Sequence, residues 1–328
     1  NIWKDLSVRL SLEDYLQIEK EVINLLGETK VKKISFMKGK ESFGDLDLIV
    51  DADYRYSITE QLKKENYLLS SNGEVLSFLY KSFQVDLIFV EESRLDFAAA
   101  YFSNNDVGNI LGRMAKQLGL KYGHKGLYYV NRTSNSDRIL SETLLSLNVF
   151  DIYNILKVPT TLLTGALTKL EAFQLISQSP YFNKEIYSFE NLNHQNKVRD
   201  RKRKTYNDFL EFCKDLPSKP IYKFNKESVV CYLYPHLIPI IQEDALQEQQ
   251  NSLLQHFFGG ERIKCITGYE NIELGLFIKN FKKTYSREFL LTVINKTKDP
   301  SFNDGDQTEQ LIKDFYEQYT TSTVPLAK

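Results

Sequence analysis

The first part of the chain mixes helical and strand-like spacings of its apolar residues. Residues 11–26, SLEDYLQIEKEVINLL, repeat apolar side chains every three or four positions, as one face of an amphipathic helix does. Ser11 suits the N-cap of this helix and Gly27 its C-cap. A second helix is predicted at 56–66. Strand-like runs stand at 31–37, 45–50, 74–82 and 83–91, so residues 1–95 predict a small unit of mixed strands and helices.

Residues 103–119 predict a helix with three distinct strips. Its apolar strip faces a core, whereas Asp106, Asn109 and Arg113 stand at i, i+3 and i+7 on a different face. Gly108 and Gly112 lie one turn apart on a third strip. Each glycine costs roughly 1 kcal/mol against alanine in a helix interior. A closely approaching backbone or ligand explains the pair, and tight helix packing is the alternative.

The rest of the chain predicts a hairpin followed by helices. The hairpin fits LKYGHKGLYYV, with GHKG as its turn. Residues 141–158 read as a helix that stops at Pro159, and we place a domain boundary at 159–165. The predicted helices beyond it span residues 160–178, 205–216 and 237–258.

Composition and charge add few constraints. The chain has 328 residues, which fits about two domains of ordinary size. It carries 42 lysines and arginines against 43 aspartates and glutamates, and this balance neither supports nor excludes a polyanionic partner. The first residues are too charged for a signal peptide, and no apolar run approaches the roughly 18 residues of a membrane helix. We predict a cytoplasmic or nuclear protein without a membrane partner, and a monomer as the default.

Two aspartates, Asp45 and Asp47, stand one residue apart on the strand-like run DLDLIV. They point to one face while the leucines beside them point to the other. Like charges side by side repel, so a buried pair must take up a proton or find a cation. Asp86 joins the pair if its strand is a neighbour. Three carboxylates suit two Mg²⁺ ions about 4 Å apart, with Mn²⁺ as an alternative, and such a pair serves phosphoryl transfer. A plain strand edge is the alternative, because D-x-D is a common spacing.

The segment FMKGKESFGDLDLIV resembles the palm signature of the DNA polymerase β superfamily, and of family X polymerases in particular. RLSLEDYLQIEKEVINLL before it is similar to the pre-palm helix, and FQVDLIFVEE to the strand with the third metal aspartate. YFSNNDVGNILGRMAKQLGLKYGHKGLYYV is similar to the thumb entry, and VFDIYNILKVP to its end. The resemblance implies an α+β fold: a nucleotidyltransferase palm at 1–95 and a thumb subdomain at 96–160, followed by a mainly helical domain at 161–328.

By position, the resemblance implies that Asp45, Asp47 and Asp86 bind the metals and that Asp86 helps to activate a primer 3′-hydroxyl. Arg113 would reach the templating strand of DNA or RNA. The reaction would add nucleotides from NTP or dNTP to a polynucleotide 3′-hydroxyl and release pyrophosphate. The nucleoside triphosphate would contact Ser35, Lys38, Ser42 and Gly44 through its phosphates, Tyr101 and Phe102 through its sugar, and Asp106 and Asn109 through its base.

Three positions depart from the family's pattern. Ile34 stands where a glycine usually precedes the serine, and Asn104 replaces the glycine of the Y-F-T-G motif. Gln84 replaces a basic residue two positions before the third aspartate. These changes bear on triphosphate affinity, sugar selection and primer handling. The chain also begins at the palm-like segment, so the gap-filling DNA repair of the full-length enzymes is not implied.

A basic run in the second half, NKVRDRKRKTYNDF, carries six basic residues between Lys197 and Lys204. Short basic runs are usually solvated, but beside a polymerase-like palm we predict nucleic-acid binding by Lys202, Arg203 and Lys204. A later segment, FFGGERIKCITGYENIELGLFIKNFKK, faintly resembles one in tRNA nucleotidyltransferases and poly(A) polymerases. Two alternatives therefore stand beside a polymerase: an enzyme that adds to or repairs RNA or tRNA 3′ ends, and a non-catalytic nucleic-acid-binding module of the same fold.

Overall fold

The computed structural model of the chain describes residues 2–3, 6–132, 138–218, 224–298 and 306–323. The strands within these ranges are β1 Val31–Lys33, β2 Asp45–Asp51, β3 Leu69–Asn72, β4 Val75–Tyr80, β5 Phe83–Val90, β6 Leu120–Gly123, β7 Gly126–Arg132 and β8 Ile139–Ser146. The α-helices are α1 Leu12–Leu26, α2 Arg55–Lys64, α3 Leu95–Phe102, α4 Val107–Gln117, α5 Val149–Leu156, α6 Lys169–Ser177, α7 His194–Asp200, α8 Lys204–Cys213, α9 Lys226–Leu233, α10 Ile238–Phe258, α11 Gly260–Thr267, α12 Asn271–Thr284, α13 Arg287–Lys298 and α14 Gln307–Thr323.

The predicted mixed sheet is present, in the strand order β1-β2-β5-β4-β3. β2 and β5 run parallel, and the other neighbouring pairs run antiparallel. One face of the sheet packs its alternate apolar side chains against α1 and α2. α1 begins and ends as predicted, because Ser11 accepts a hydrogen bond from the Asp14 backbone N–H and Gly27 follows at φ 63°. The chain is therefore a mixed α and β protein with a small mixed sheet, and its C-terminal region is helical.

A second sheet, β6-β7-β8, follows α3 and α4. It contains the predicted hairpin, but it also contains residues that the sequence analysis assigned to a helix. The predicted helix at 141–158 is wrong over its first part, because β8 pairs antiparallel with β7 there. Thr143 and Leu145 are buried and alternate with more exposed neighbours, which is the spacing of a strand. α5 starts only at Val149, where the Asn148 side chain accepts a hydrogen bond from the Phe150 N–H.

The chain divides into two compact units, Asn1–Ile238 and Pro239–Lys328. The predicted boundary at 159–165 lies inside the first unit, because residues after it form hydrogen bonds with residues before it. The Ser179 hydroxyl donates to the Leu156 carbonyl at 2.6 Å, and Lys226 Nζ donates to the Val130 carbonyl at 2.8 Å. α6 to α9 thus belong to the same unit as the sheets, a long-range arrangement that local spacing does not encode.

The second unit contains α11 to α14 and most of α10. Its helices bury an aromatic core that includes Phe258, Phe277, Phe281 and Phe315. In the described parts of both units, no helix is both long enough and apolar enough to cross a membrane.

Candidate active site on the sheet

The three predicted carboxylates stand on one face of two adjoining strands. In the parallel pair of β2 and β5, Asp47 lies opposite Asp86 and Asp45 lies opposite Gln84. Alternation along each strand places Asp45, Asp47 and Asp86 on the side of Ile49 and Ile88. α3 packs on that side and covers the two isoleucines. The aspartates precede the covered residues on their strands, which brings the predicted trio together beyond the α3 contact.

The electrostatics of this face favour a cation. Burial and the nearby charges of Asp45 and Asp86 raise the pKa of the Asp47 carboxyl well above its usual range. Lys40 and Arg203 oppose this shift without cancelling it. Burial also raises the pKa of the Asp86 carboxyl. Repulsion between the carboxylates is therefore left partly uncompensated within the protein.

The Asp86 carboxylate accepts hydrogen bonds from the side-chain amide of Gln84. Gln84 Nε2 lies 2.9 Å from each Asp86 oxygen, and Gln84 Oε1 accepts from the Ile2 backbone N–H at 2.7 Å. Across the described residues, no three His, Cys, Asp or Glu side chains are already grouped closely enough to hold a metal ion. The donor set still fits Mg²⁺ chemically, because Asp45 and Asp47 offer hard carboxylate oxygens on one face. Asp86 would complete the set by exchanging its bonds to Gln84.

A cavity of about 540 Å³ opens at the carboxylate face. Asp45 and Asp47 line it, as do the predicted residues Ser35, Phe102 and Asp106. The basic part of its lining consists of Lys40, Lys202, Arg203 and Lys204. The predicted nucleic-acid-binding residues 202–204 therefore line the same cavity as two of the three predicted metal ligands, Asp45 and Asp47, whereas Asp86 does not line it.

A second cavity of about 410 Å³ lies beside the first and shares Lys40 and Lys204 with it. The predicted phosphate contacts Lys38 and Ser42 line this second cavity. Arg9 Nε donates to the Ser42 hydroxyl at 2.8 Å.

Gly44 lines neither of these two cavities. A Cβ added at Gly44 would lie 2.7 Å from the Arg9 guanidinium, so a side chain there would displace the arginine. Arg9 is thus an additional cation beside the predicted phosphate contacts, and the sequence analysis did not identify it.

The predicted polar face of α4 is covered by another part of the chain. Arg113, predicted to reach a template, is only 9% exposed and forms an ion pair with the fully buried Asp200. Asn109 Oδ1 accepts a hydrogen bond from Arg199 at 2.7 Å, and Asp106 pairs with Arg203. All three residues therefore contact the segment 199–203. To reach a templating strand as predicted, Arg113 would therefore have to leave its buried ion pair with Asp200.

The paired glycines of α4 serve packing. A Cβ on Gly108 would collide with the carbonyl oxygen of Tyr101, and one on Gly112 would lie 3.1 Å from the Tyr122 carbonyl oxygen. Tyr101 precedes α4 at the end of α3, and Tyr122 follows it on β6. Backbone approach from both sides thus accounts for the strip. Tyr101 lines a separate cavity with Asn109 and Arg113.

Asn104 keeps the backbone conformation for which glycine is usually chosen. Its φ is 57°, and asparagine enters this left-handed region more readily than other side chains do. The Asn104 N–H donates to the Ser35 carbonyl at 2.7 Å, and its side-chain amide donates to the Leu162 carbonyl at 2.8 Å. Although it replaces the glycine of Y-F-T-G, Asn104 therefore links the end of α3 to the loop near Ser35 by a hydrogen bond.

Four residues at or near this site were missed from the sequence. Lys40 lies within the quoted KGKES stretch, and Asp200 is the lone acid between Lys197 and Lys204, so both had a local signal. Tyr15 lines the larger cavity from α1, and Arg9 lines the smaller one. Neither had a signal in the sequence, because only the fold brings them to the loop.

No protein-family model matches this chain, and a search of curated proteins finds no match. The resemblance at residues 8–160 to family X polymerases therefore stays a prediction.

Proposed function

We propose that this protein is a metal-dependent nucleotidyltransferase that adds nucleotides from NTP or dNTP to the 3′-hydroxyl of a polynucleotide. The observation that carries the proposal is the carboxylate face: Asp45 and Asp47 on β2 and Asp86 on β5, beside a cavity lined by lysines. Clustered carboxylates suit hard divalent cations, and lysines suit phosphate groups. A nucleoside triphosphate requires both kinds of contact in one place.

In the proposed reaction, the 3′-hydroxyl oxygen bonds to the α-phosphorus of the triphosphate. The bond from that phosphorus to the bridging oxygen breaks, and pyrophosphate leaves with its electron pair. Asp45, Asp47 and Asp86 would hold Mg²⁺ or Mn²⁺, which when bound neutralises charge on the attacking and leaving oxygens. Asp86 would also accept a hydrogen bond from the attacking hydroxyl and favour loss of its proton.

A specific observation favours addition without a template, as in RNA or tRNA 3′-end-adding enzymes. The three α4 residues that the resemblance assigns to a base pair and template are already bonded to Arg199, Asp200 and Arg203. A templating strand on this face would have to displace a buried ion pair, which is costly because it leaves a buried charge without its partner. This candidate shares the carboxylate chemistry and differs only in what selects the base.

The proposal is tested by incubating the full chain with Mg²⁺, each NTP or dNTP, and a labelled RNA or DNA primer. Each primer is supplied alone and annealed to a template. We expect extension of at least one single-stranded primer, with pyrophosphate released in equal amount. Extension only of annealed primers, with the complementary nucleotide, would favour a templated polymerase over an end-adding enzyme.

The non-catalytic alternative predicts a different result. A binding module of this fold would be stabilised by a triphosphate with Mg²⁺ in a thermal shift, yet would release no pyrophosphate with any primer. These two results together would reject the proposed reaction but would support binding of a nucleoside triphosphate.

A further inference from the structure

The basic residues between α7 and α8 divide into two groups by their contacts. Arg199 and Arg203 are engaged with α4 and Asp200. Lys202 and Lys204 are exposed, and neither forms an ion pair with any residue in the described ranges. Both line the carboxylate cavity. The arginines therefore fasten the segment, and the two lysines are left available to a ligand.

The position of the lysines indicates the charge and size of that ligand. Lys204 also lines the second cavity, where Lys38 and Arg9 stand, and Lys40 is common to both. A compact anion with several charges could contact cations in both cavities at once. Lys202 and Lys204 line the same cavity as Asp45 and Asp47, so one ligand there can contact the lysines and a metal held by the carboxylates; this suits a metal-bound polyphosphate better than the extended backbone of a polymer.

We propose that Lys202 and Lys204 bind the triphosphate of the incoming nucleotide. This proposal assigns part of the basic run to the nucleotide instead of the nucleic acid. It also adds a contact from the region after residue 160 to a cavity that is otherwise lined by residues between Tyr15 and Asp106. Helix α8 starts at Lys204, so its first backbone N–H groups and the positive end of its dipole lie at the same wall. The inference rests on the proposed function for the identity of the ligand as a reacting nucleotide.

The test measures equilibrium binding of two probes, inorganic tripolyphosphate and ATP with Mg²⁺, to the full chain by calorimetry. The variant is Lys202→Gln with Lys204→Gln. Its matched control is Lys197→Gln with Arg201→Gln, which removes the same charge from the same segment. Arg201 lies over the Phe189 ring, and neither control residue lines the carboxylate cavity.

We expect the Lys202/Lys204 variant to bind both probes at least about tenfold more weakly, because each lysine loses a charge-assisted hydrogen bond to phosphate. The control variant should stay within about twofold of the parent protein. If the double variant fails to fold, the single Lys202→Gln change tests the same claim, because this residue is exposed between the two helices.

Three results would overturn the inference. The parent protein could fail to bind either probe. Both variants could bind ATP like the parent while losing affinity for single-stranded polynucleotide to the same extent, which assigns the lysines to the polymer. The Lys202/Lys204 variant could bind ATP normally but melt at a lower temperature in EDTA, which makes the lysines counter-charges for the carboxylates only.

The transfer assay separates this inference from the proposed function. If the protein binds ATP through the lysines but transfers no nucleotide, the inference is supported and the proposed reaction is rejected. If it transfers nucleotides with an ATP affinity independent of the lysines, the reverse holds.

Discussion

Periodicity predicted two polar faces, the carboxylate face of β2 and β5 and the polar face of α4. In the structure only the first of them remains open to a ligand. Strand alternation groups Asp45 with Asp47, and helical spacing groups Asn109 with Arg113. The carboxylate face borders a cavity, whereas the α4 face is covered by residues 199–203. Spacing establishes which side chains share a face, but it does not show what lies against that face.

The charges explain which of the two faces remains available. The carboxylates have the same sign and raise the pKa of Asp47, so an added cation would be stabilised there. On α4, Arg113 meets Asp200 and Asp106 meets Arg203, so each charge already has a partner. A cluster of like charges is thus a better indicator of a ligand site than a mixed polar face, because the protein can satisfy the latter by itself.

The largest effect is expected at the carboxylate face. Asp45→Asn, Asp47→Asn and Asp86→Asn should each lower nucleotide transfer by about a thousandfold or more, since metal-assisted charge stabilisation contributes several kcal/mol. Folding should be retained, because each change relieves repulsion. Primer extension and circular dichroism measure the two quantities.

Asp53→Asn is the control for these variants, since Asp53 is exposed just beyond β2. It should extend primers like the parent protein. A near-normal rate for any one of the three asparagine variants would show that its carboxylate is not a metal ligand.

A loss of stability rather than of rate is expected on α4. Arg113→Ala should lower the free energy of unfolding by about 1.5–3 kcal/mol, because the buried Asp200 carboxylate loses one charged partner and keeps Arg199 Nε at 3.0 Å. Denaturant unfolding followed by circular dichroism measures the change. An exposed arginine on a helix would, by contrast, contribute little to folding.

The paired change Arg113→Met with Asp200→Leu sharpens the comparison, because it removes both charges together. It should recover a large part of the stability lost by Arg113→Ala. If the Arg113→Ala protein is as stable as the parent but copies a template less well, the polar face of α4 recognises a base pair, as the resemblance implies.

The carboxylate face also predicts a pH dependence of the stability of the metal-free protein. The pKa of Asp47 is raised to about 8 from an ordinary value of 3.8, so the folded chain binds more protons than the unfolded chain between these values. Its contribution to the free energy of unfolding is therefore present below about pH 4 and is lost as the pH rises towards 8. Melting temperatures of the parent and Asp47→Asn proteins in EDTA should differ by more at pH 8 than at pH 5.

Excess Mg²⁺ at pH 8 should narrow this difference by stabilising the parent protein. If the difference in melting temperature is equal at both pH values and insensitive to Mg²⁺, the pKa of the Asp47 carboxyl is not raised in the folded protein.

Local features of the chain were predictable from the residues themselves. The α1 caps and the shared face of Asp45 and Asp47 depend on residues within a few positions of each other, and both predictions agree with the structure. The strand at 139–146 was missed because its apolar residues, Ile139, Leu140, Leu144 and Leu145, do not alternate along the sequence, and its pairing with β7 outweighed a weak helical pattern. The glycine strip of α4 left two explanations open, and only the packing of α3 and β6 decided between them.

What the sequence by itself determined is which side chains share a face: Asp45 and Asp47 on their strand, and Asp106, Asn109 and Arg113 on their helix, whereas the pairing of β2 with β5 added Asp86. Only the tertiary structure decided that Asp200, 87 positions after Arg113, closes the second face, and that Lys202 and Lys204 line the cavity at the first. The physical reason is that periodicity acts over a few residues, whereas a contact between distant segments depends on the path of the whole chain.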